Sequence, residues 1–245
     1  MAANYTDAQF VPSDVSDARA IWVNPAGLGA RPTASIYIDL VSSDPGEGGR
    51  LSQISGAIEA RGFGFGYQRD MFDTGTRGDT YRVTLGAGSH SLAAGMGASL
   101  YRGGAKATAW DVGVVYDTKV VNIAGTVRNI GQPVVRGVAL RATAIPAITV
   151  HTARNALELS AAGRFTTDSA LGYTAGLRLT VSRPIGWSLL TRIELDRTLH
   201  RSAVTLGFAI GASDAVGVAV SGPRAATPFT AGDLFLISTR AAPAP

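Results

Sequence analysis

The sequence predicts an all-β protein: a transmembrane, up-and-down, antiparallel β-barrel of about fourteen strands. Three observations carry this expectation. Apolar residues alternate with small or charged ones in one segment of about ten residues after another. The links between these segments are short and long in turn. No run of about 18 apolar residues exists, which excludes a transmembrane helix.

The alternation is regular. Tyr81, Val83, Leu85 and Ala87 are separated by Arg82, Thr84 and Gly86. Trp110, Val112, Val114 and Tyr116 interleave with Asp111, Gly113 and Asp117, and Tyr173, Ala175, Leu177, Leu179 and Val181 with Thr174, Gly176, Arg178 and Thr180. Successive side chains of a strand point to opposite faces, so each segment has one apolar face and one face of small or charged residues. A soluble sandwich buries the apolar face; a membrane barrel turns it to lipid and keeps the polar face inside. A sandwich built from this chain would bury about ten charges or expose an apolar face on every strand, and both are costly.

In chain order the strands are expected at 33–42, 52–60, 62–69, 79–87, 91–101, 108–117, 120–129, 136–151, 156–165, 171–181, 186–195, 202–210, 214–221 and 232–240. Links near Arg61, Ser89, Thr118, Arg183 and Ala212 are tight. Those at 43–51, 70–78, 102–107, 130–135, 166–170, 196–201 and 222–231 are longer and richer in Gly, Pro, Asp and Arg. An even strand count puts both termini on the short-turn side. Within 136–151, Pro146 lacks a ladder donor and implies a kink or an extra turn. Tyr67, Tyr81, Tyr101, Trp110 and Tyr173 fall near long links, and Tyr116 and Trp187 near short ones, as two interfacial girdles would require.

Composition narrows the function. The chain has 30 Gly, no Cys, 16% charged residues and a formal charge of +4. Its arginines are spread singly through strands and loops, so the basic balance does not mark a nucleic-acid surface. His90, His151 and His200 are far apart and no Cys accompanies them, which leaves no metal-ligand pattern and no cofactor. Gly62-Phe63-Gly64-Phe65-Gly66 alternates as a strand does and lacks the Lys-Ser/Thr of a phosphate loop. Glu158 and Glu194 each have an arginine close by, which favours ion pairs over acid–base catalysis. No enzyme is expected.

Asp17-Ala18-Arg19-Ala20-Ile21-Trp22-Val23-Asn24-Pro25-Ala26-Gly27-Leu28 resembles the N-terminal signature of FadL-like and PorV/PorQ-like outer-membrane proteins, a "DA…NPAGL" stretch before the first strand. Gly62–Asp70 resembles their third-strand pattern, and Val127-Arg128-Asn129-Ile130-Gly131 the end of a mid-barrel strand. The resemblance implies a 14-stranded barrel in the outer membrane of a diderm bacterium, with residues 1–31 forming a luminal plug, 32–240 the barrel and 241–245 a disordered tail. Asp17, Ala18, Trp22, Asn24, Pro25, Ala26, Gly27 and Leu28 are then the plug residues, with Pro25-Ala26-Gly27 as a turn. The start of the chain, Met1-Ala2-Ala3-Asn4, is polar and reads as a mature form rather than a signal peptide.

With the apolar set facing lipid, the inward charges are Glu59, Arg82, Asp111, Arg128, Arg141, Glu158, Arg164, Arg178, Arg192 and Glu194. Small residues such as Gly95, Gly97, Gly113, Gly207 and Gly217 leave room beside the wall. The expected function is a passage for small apolar molecules gated by the plug; the alternative is a scaffold barrel for a surface or secretion complex. Membrane lipid, small hydrophobic solutes and a protein partner at the loops 70–78 and 222–231, with Asp73, Arg77, Arg224 and Phe229 as contacts, are the expected partners.

Overall fold

The computed structural model describes residues 4–31, 33–43, 49–71, 77–89, 91–103, 107–135, 137–181, 185–222 and 230–241. The first strands are β1 (Thr33–Ser43), β2 (Arg50–Ala60), β3 (Phe63–Met71), β4 (Arg77–Gly88), β5 (Leu92–Arg102), β6 (Ala107–Asp117) and β7 (Val121–Ile130). After a small hairpin, β8 (Val134–Val135) and β9 (Val138–Ala139), come β10 (Thr143–Thr152), β11 (Leu157–Phe165), β12 (Ala170–Val181) and β13 (Trp187–Asp196). The last three are β14 (Arg201–Gly211), β15 (Asp214–Gly222) and β16 (Ala231–Ala241). Fourteen of them form a closed barrel in which sequence neighbours pair antiparallel, and β1 pairs with β16 to seal it.

The alternation becomes the two faces of this wall. Ile36, Ile38 and Leu40 on β1, Val112 and Val114 on β6, and Leu206 and Phe208 on β14 are exposed on the outside. Between them Tyr37, Asp39, Asp111 and Thr205 point inward and are buried. So regular an apolar exterior is stable only against lipid. Closure removes the free edges that an open sheet would present.

Two features depart from the sequence reading. The strand expected at 136–151 is split: the wall strand starts at Thr143, and Val138 pairs back onto Val135 in the side hairpin. Gly137 at φ 77° makes that reversal, a conformation that costs glycine little. Pro146 stays within β10 opposite Gly125 of β7, while the ladder to β11 is interrupted between Ala144 and Ala147 without a change of register. The missing N–H thus breaks one ladder and leaves the strand in place. In the girdles, Tyr67, Tyr81, Trp110 and Tyr116 face outward, but Tyr101 shares the inward face with Ser99 and is 6% exposed.

The hydrophobic core lies inside the barrel. Phe10, Val15, Ala18, Ile21, Trp22, Val23 and Leu28 cluster with Tyr37, Ala57, Phe235 and Ile237 of the wall. Residues from the N-terminal segment therefore supply most of this core.

Candidate functional site: the inner wall and the N-terminal segment

Local hydrogen bonds shape the segment before the wall touches it. The Asn4 side chain caps a turn at Tyr5–Ala8 by accepting from Thr6 N at 3.0 Å. Asp14 Oδ1 accepts from Val11 N at 2.9 Å. Two single-turn helices follow, α1 (Ala20–Val23) and α2 (Gly27–Ala30). Between them Asn24 Oδ1 accepts from Ala26 N at 3.1 Å, and Gly27 N donates to the Asn24 carbonyl at 3.0 Å, closing the turn through Pro25. Ala18, Trp22, Asn24, Ala26 and Leu28 are all 2% exposed or less, and Pro25 and Gly27 are also buried. Asp17 is half-buried, bound to Arg19 through Nε at 2.9 Å and Nη2 at 2.6 Å.

Glycines of the wall admit this segment. In Phe63-Gly64-Phe65-Gly66 the two rings are exposed to the outside and the glycines face in. A Cβ on Gly64 would stand 2.7 Å from Ile21, and one on Gly66 would stand 2.7 Å from the Trp22 ring. Gly95 backs onto Pro25, and Gly113 onto the Asn24 side chain. Any side chain at these positions would push the segment off the wall. Gly207 and Gly217, by contrast, meet wall side chains, Leu190 and Phe235 respectively.

Polar contacts complete the docking. Asn4 Nδ2 donates to Gln68 Oε1 at 3.0 Å, Tyr5 N to Gln53 Oε1 at 3.0 Å, and Ala18 N to Ser35 Oγ at 2.7 Å. Gln9 donates to Asp233, and Ser13 Oγ pairs with Thr149 Oγ1 at 2.8 Å. Two acids of the segment meet arginines of the wall. Arg128 donates to Asp7 through Nη2 at 3.0 Å, and Asp14 lies 3.4 Å from Arg192 and 3.8 Å from Arg178. Arg178 also reaches Glu158 at 2.9 Å, and its guanidinium sits 4.9 Å from the centre of the Phe10 ring. Arg82 pairs with Asp111, and Arg164 with Glu194 at 3.2 Å.

Electrostatics within the segment follow from burial and these partners. Burial pushes the Asp14 carboxyl above its usual range, and the pull of Arg178 and Arg192 does not fully offset it. For Asp17 burial acts in the same direction, but Arg19 outweighs it and holds the carboxyl below its ordinary value. Burial raises the Tyr5 phenol.

Nine of the ten charges expected to face inward do so, and Glu59 is satisfied by Thr33 Oγ1 at 2.9 Å and Ser35 Oγ at 3.0 Å. Arg141 does not. It is exposed on the link before β10, where the β8–β9 hairpin has consumed the residues that would have carried the strand past it. The sequence reading missed Asp7 and Asp14, which belong to a segment with no repeat to assign their direction. It also missed Asp39, Gln53, Gln68, Asp70 and Asp233, which the same alternation places inward.

The segment leaves three spaces in the lumen, one of them about 210 Å³ beside Gln9, Arg19, Arg178 and Gly207. Toward the long links lies a cavity of about 390 Å³ bounded by Phe10, Trp22, Arg82, Tyr101, Arg128 and Ile145. Toward the short turns a wider vestibule of about 1080 Å³ is bounded by Leu28, Arg31, Arg61, Gly86, Lys119 and His151. Leu28, Gly29 and Ala30 form part of the vestibule wall, and Trp22 and Phe10 part of the cavity wall, so the segment stands between them.

No family model and no curated protein matches the chain. Among solved structures, the crystal structure of the P. putida toluene transporter TodX is similar over 96% of this chain and 99% of its own, at 10% identity and a TM-score of 0.56. CymD, a monoaromatic hydrocarbon channel, is similar over 94% and 93% at 8% identity and a TM-score of 0.48. A mutant of the Rh. blastica porin is similar over 85% and 99% at 9% identity and a TM-score of 0.48. The likeness to TodX is one of fold.

Proposed function

We propose that the chain is a FadL-like barrel of the bacterial outer membrane and a passage for small apolar molecules, with residues 1–31 as its plug and gate and 32–240 as its wall. The observation that supports this reading is the segment's position between two cavities that open toward opposite ends of the lumen. The segment is held by side-chain contacts and by glycines that leave it space, so it can leave without breaking the wall. Membrane lipid surrounds the apolar exterior, and the toluene transporter's fold makes small hydrocarbons the natural first solutes to assay.

Deleting residues 1–28 and recording conductance in planar bilayers tests the gate. Open-channel steps absent from the full chain are expected. In parallel, toluene should enter liposomes faster with the full-length protein than through lipid alone. An electrically silent deletion without solute flux would reject the passage and favour a PorV/PorQ-like scaffold. Of that reading's loop contacts, Asp73, Arg224 and Phe229 lie outside the described residues, and Arg77 is exposed at the start of β4.

A further inference from the structure

The outward face changes from apolar to charged abruptly on three neighbouring strands. Phe65 of β3 stands opposite Val83 of β4, and in the next outward row Tyr67 stands opposite Tyr81, with ring centres 5.3 Å apart. One row further toward the long links, Arg69 is opposite Asp79 and Asp79 is opposite Arg102 of β5. Beyond these, Arg77 stands opposite Met71. Residues two apart on a strand share a face, so Arg69, Arg77, Asp79 and Arg102 continue the lipid-facing surface upward.

Among the described residues, three guanidinium groups and one carboxylate share this face, and Arg69 is the arginine bonded to Asp79. Asp79 accepts from Arg69 Nε at 2.8 Å and from the Tyr67 hydroxyl at 2.6 Å. Arg102 Nη1 donates to the neighbouring Tyr101 carbonyl at 2.9 Å, and Arg77 is exposed. These four described residues together carry a surplus of two positive charges. It lies just past an aromatic row that marks the boundary of the apolar band. On the opposite arc Leu195 on β13 and Val220 on β15 are apolar, while Arg201 on β14, opposite Leu195, is a single exposed charge.

We propose that Arg69, Arg77 and Arg102 hold the phosphate of an anionic membrane lipid against the outside of β3–β5. Charges at this level meet headgroups, and a guanidinium matches phosphate oxygens bidentately. The acyl chains would then descend over Tyr67, Tyr81, Phe65 and Val83, continuing a surface that already faces lipid.

Native mass spectrometry of the full chain in detergent, with phosphatidylglycerol or phosphatidylcholine added, tests this. The parent should retain phosphatidylglycerol preferentially. Retention should fall about fivefold per arginine removed and on the order of a hundredfold in Arg69→Gln/Arg77→Gln/Arg102→Gln. Asp79→Asn should raise it. If the triple variant does not fold, Arg77→Gln alone still reads the fivefold loss. Equal retention by parent and variant overturns the proposal. Complete displacement of the lipid by inorganic phosphate also overturns it, because the site would then take the free anion.

Discussion

Arg192 of β13 and Asp14 of the N-terminal segment meet at 3.4 Å, with the guanidinium side chain 1% exposed. Neither charge has enough water around it to stand alone. The pair ties a non-repeating segment to the wall strand it faces.

Removing one partner of this pair leaves a buried charge uncompensated. Asp14→Asn or Arg192→Gln should each cost about 3–5 kcal/mol of folding free energy. Equilibrium unfolding by urea in a fixed detergent measures it. The double variant should lose less than the two single losses added together, and strict additivity would show that the pair is not coupled.

Gly66→Val should dislodge Trp22, because even a Cβ at that position comes within 2.7 Å of the indole. In a Trp110→Phe/Trp187→Phe background, emission from Trp22 should shift to the red and become open to aqueous quenchers. Unchanged emission would mean the segment tolerates a side chain there.

An arginine on the lipid face should cost most at mid-bilayer. Leu177→Arg, near the centre of β12, should lose about 2–4 kcal/mol, whereas Met71→Arg at the last residue of β3 should lose about 1 kcal/mol or less. Folding titrations into phospholipid vesicles compare the two. Equal losses would contradict the depth assigned to these strands.

Asp17 gives a pH dependence with a defined sign. Its folded value lies below the ordinary 3.8 because Arg19 outweighs the effect of burial. The stability it contributes is complete above that ordinary value and is lost as pH falls through the lower folded one. Asp17→Asn should thus melt below the parent at neutral pH, and the gap should close progressively under pH 3.8. A gap that persists at strongly acid pH would assign the loss to geometry rather than charge.

The wall was legible because a strand's faces alternate with a period of two, and each apolar residue that fixes a strand's register fixes its neighbours too. Val83 and Arg82, or Leu177 and Arg178, follow from the same count. Arg141 was misplaced because alternation continues formally through Val138 and Leu140, while the positive φ of Gly137 takes Val138 into a separate hairpin. Tyr101 was misplaced because proximity to a long link says nothing about which face a residue occupies. The segment obeys no period at all. Its residues could be grouped by resemblance, but the matching of Asp7 to Arg128 and Asp14 to Arg192 depends on how a coil of turns lies in the lumen, which no local pattern encodes.

The seam between β1 and β16, running from Thr33↔Ala241 to Ser43↔Ala231, gives the molecule an order of construction. Contacts between the two ends of a long chain form late, after the cost of bringing those ends together has been met by everything between them. The segment that precedes β1 is therefore enclosed only once this seam is made. Chain order and enclosure thus agree: the residues that precede β1 lie inside the ring that β16 closes against β1.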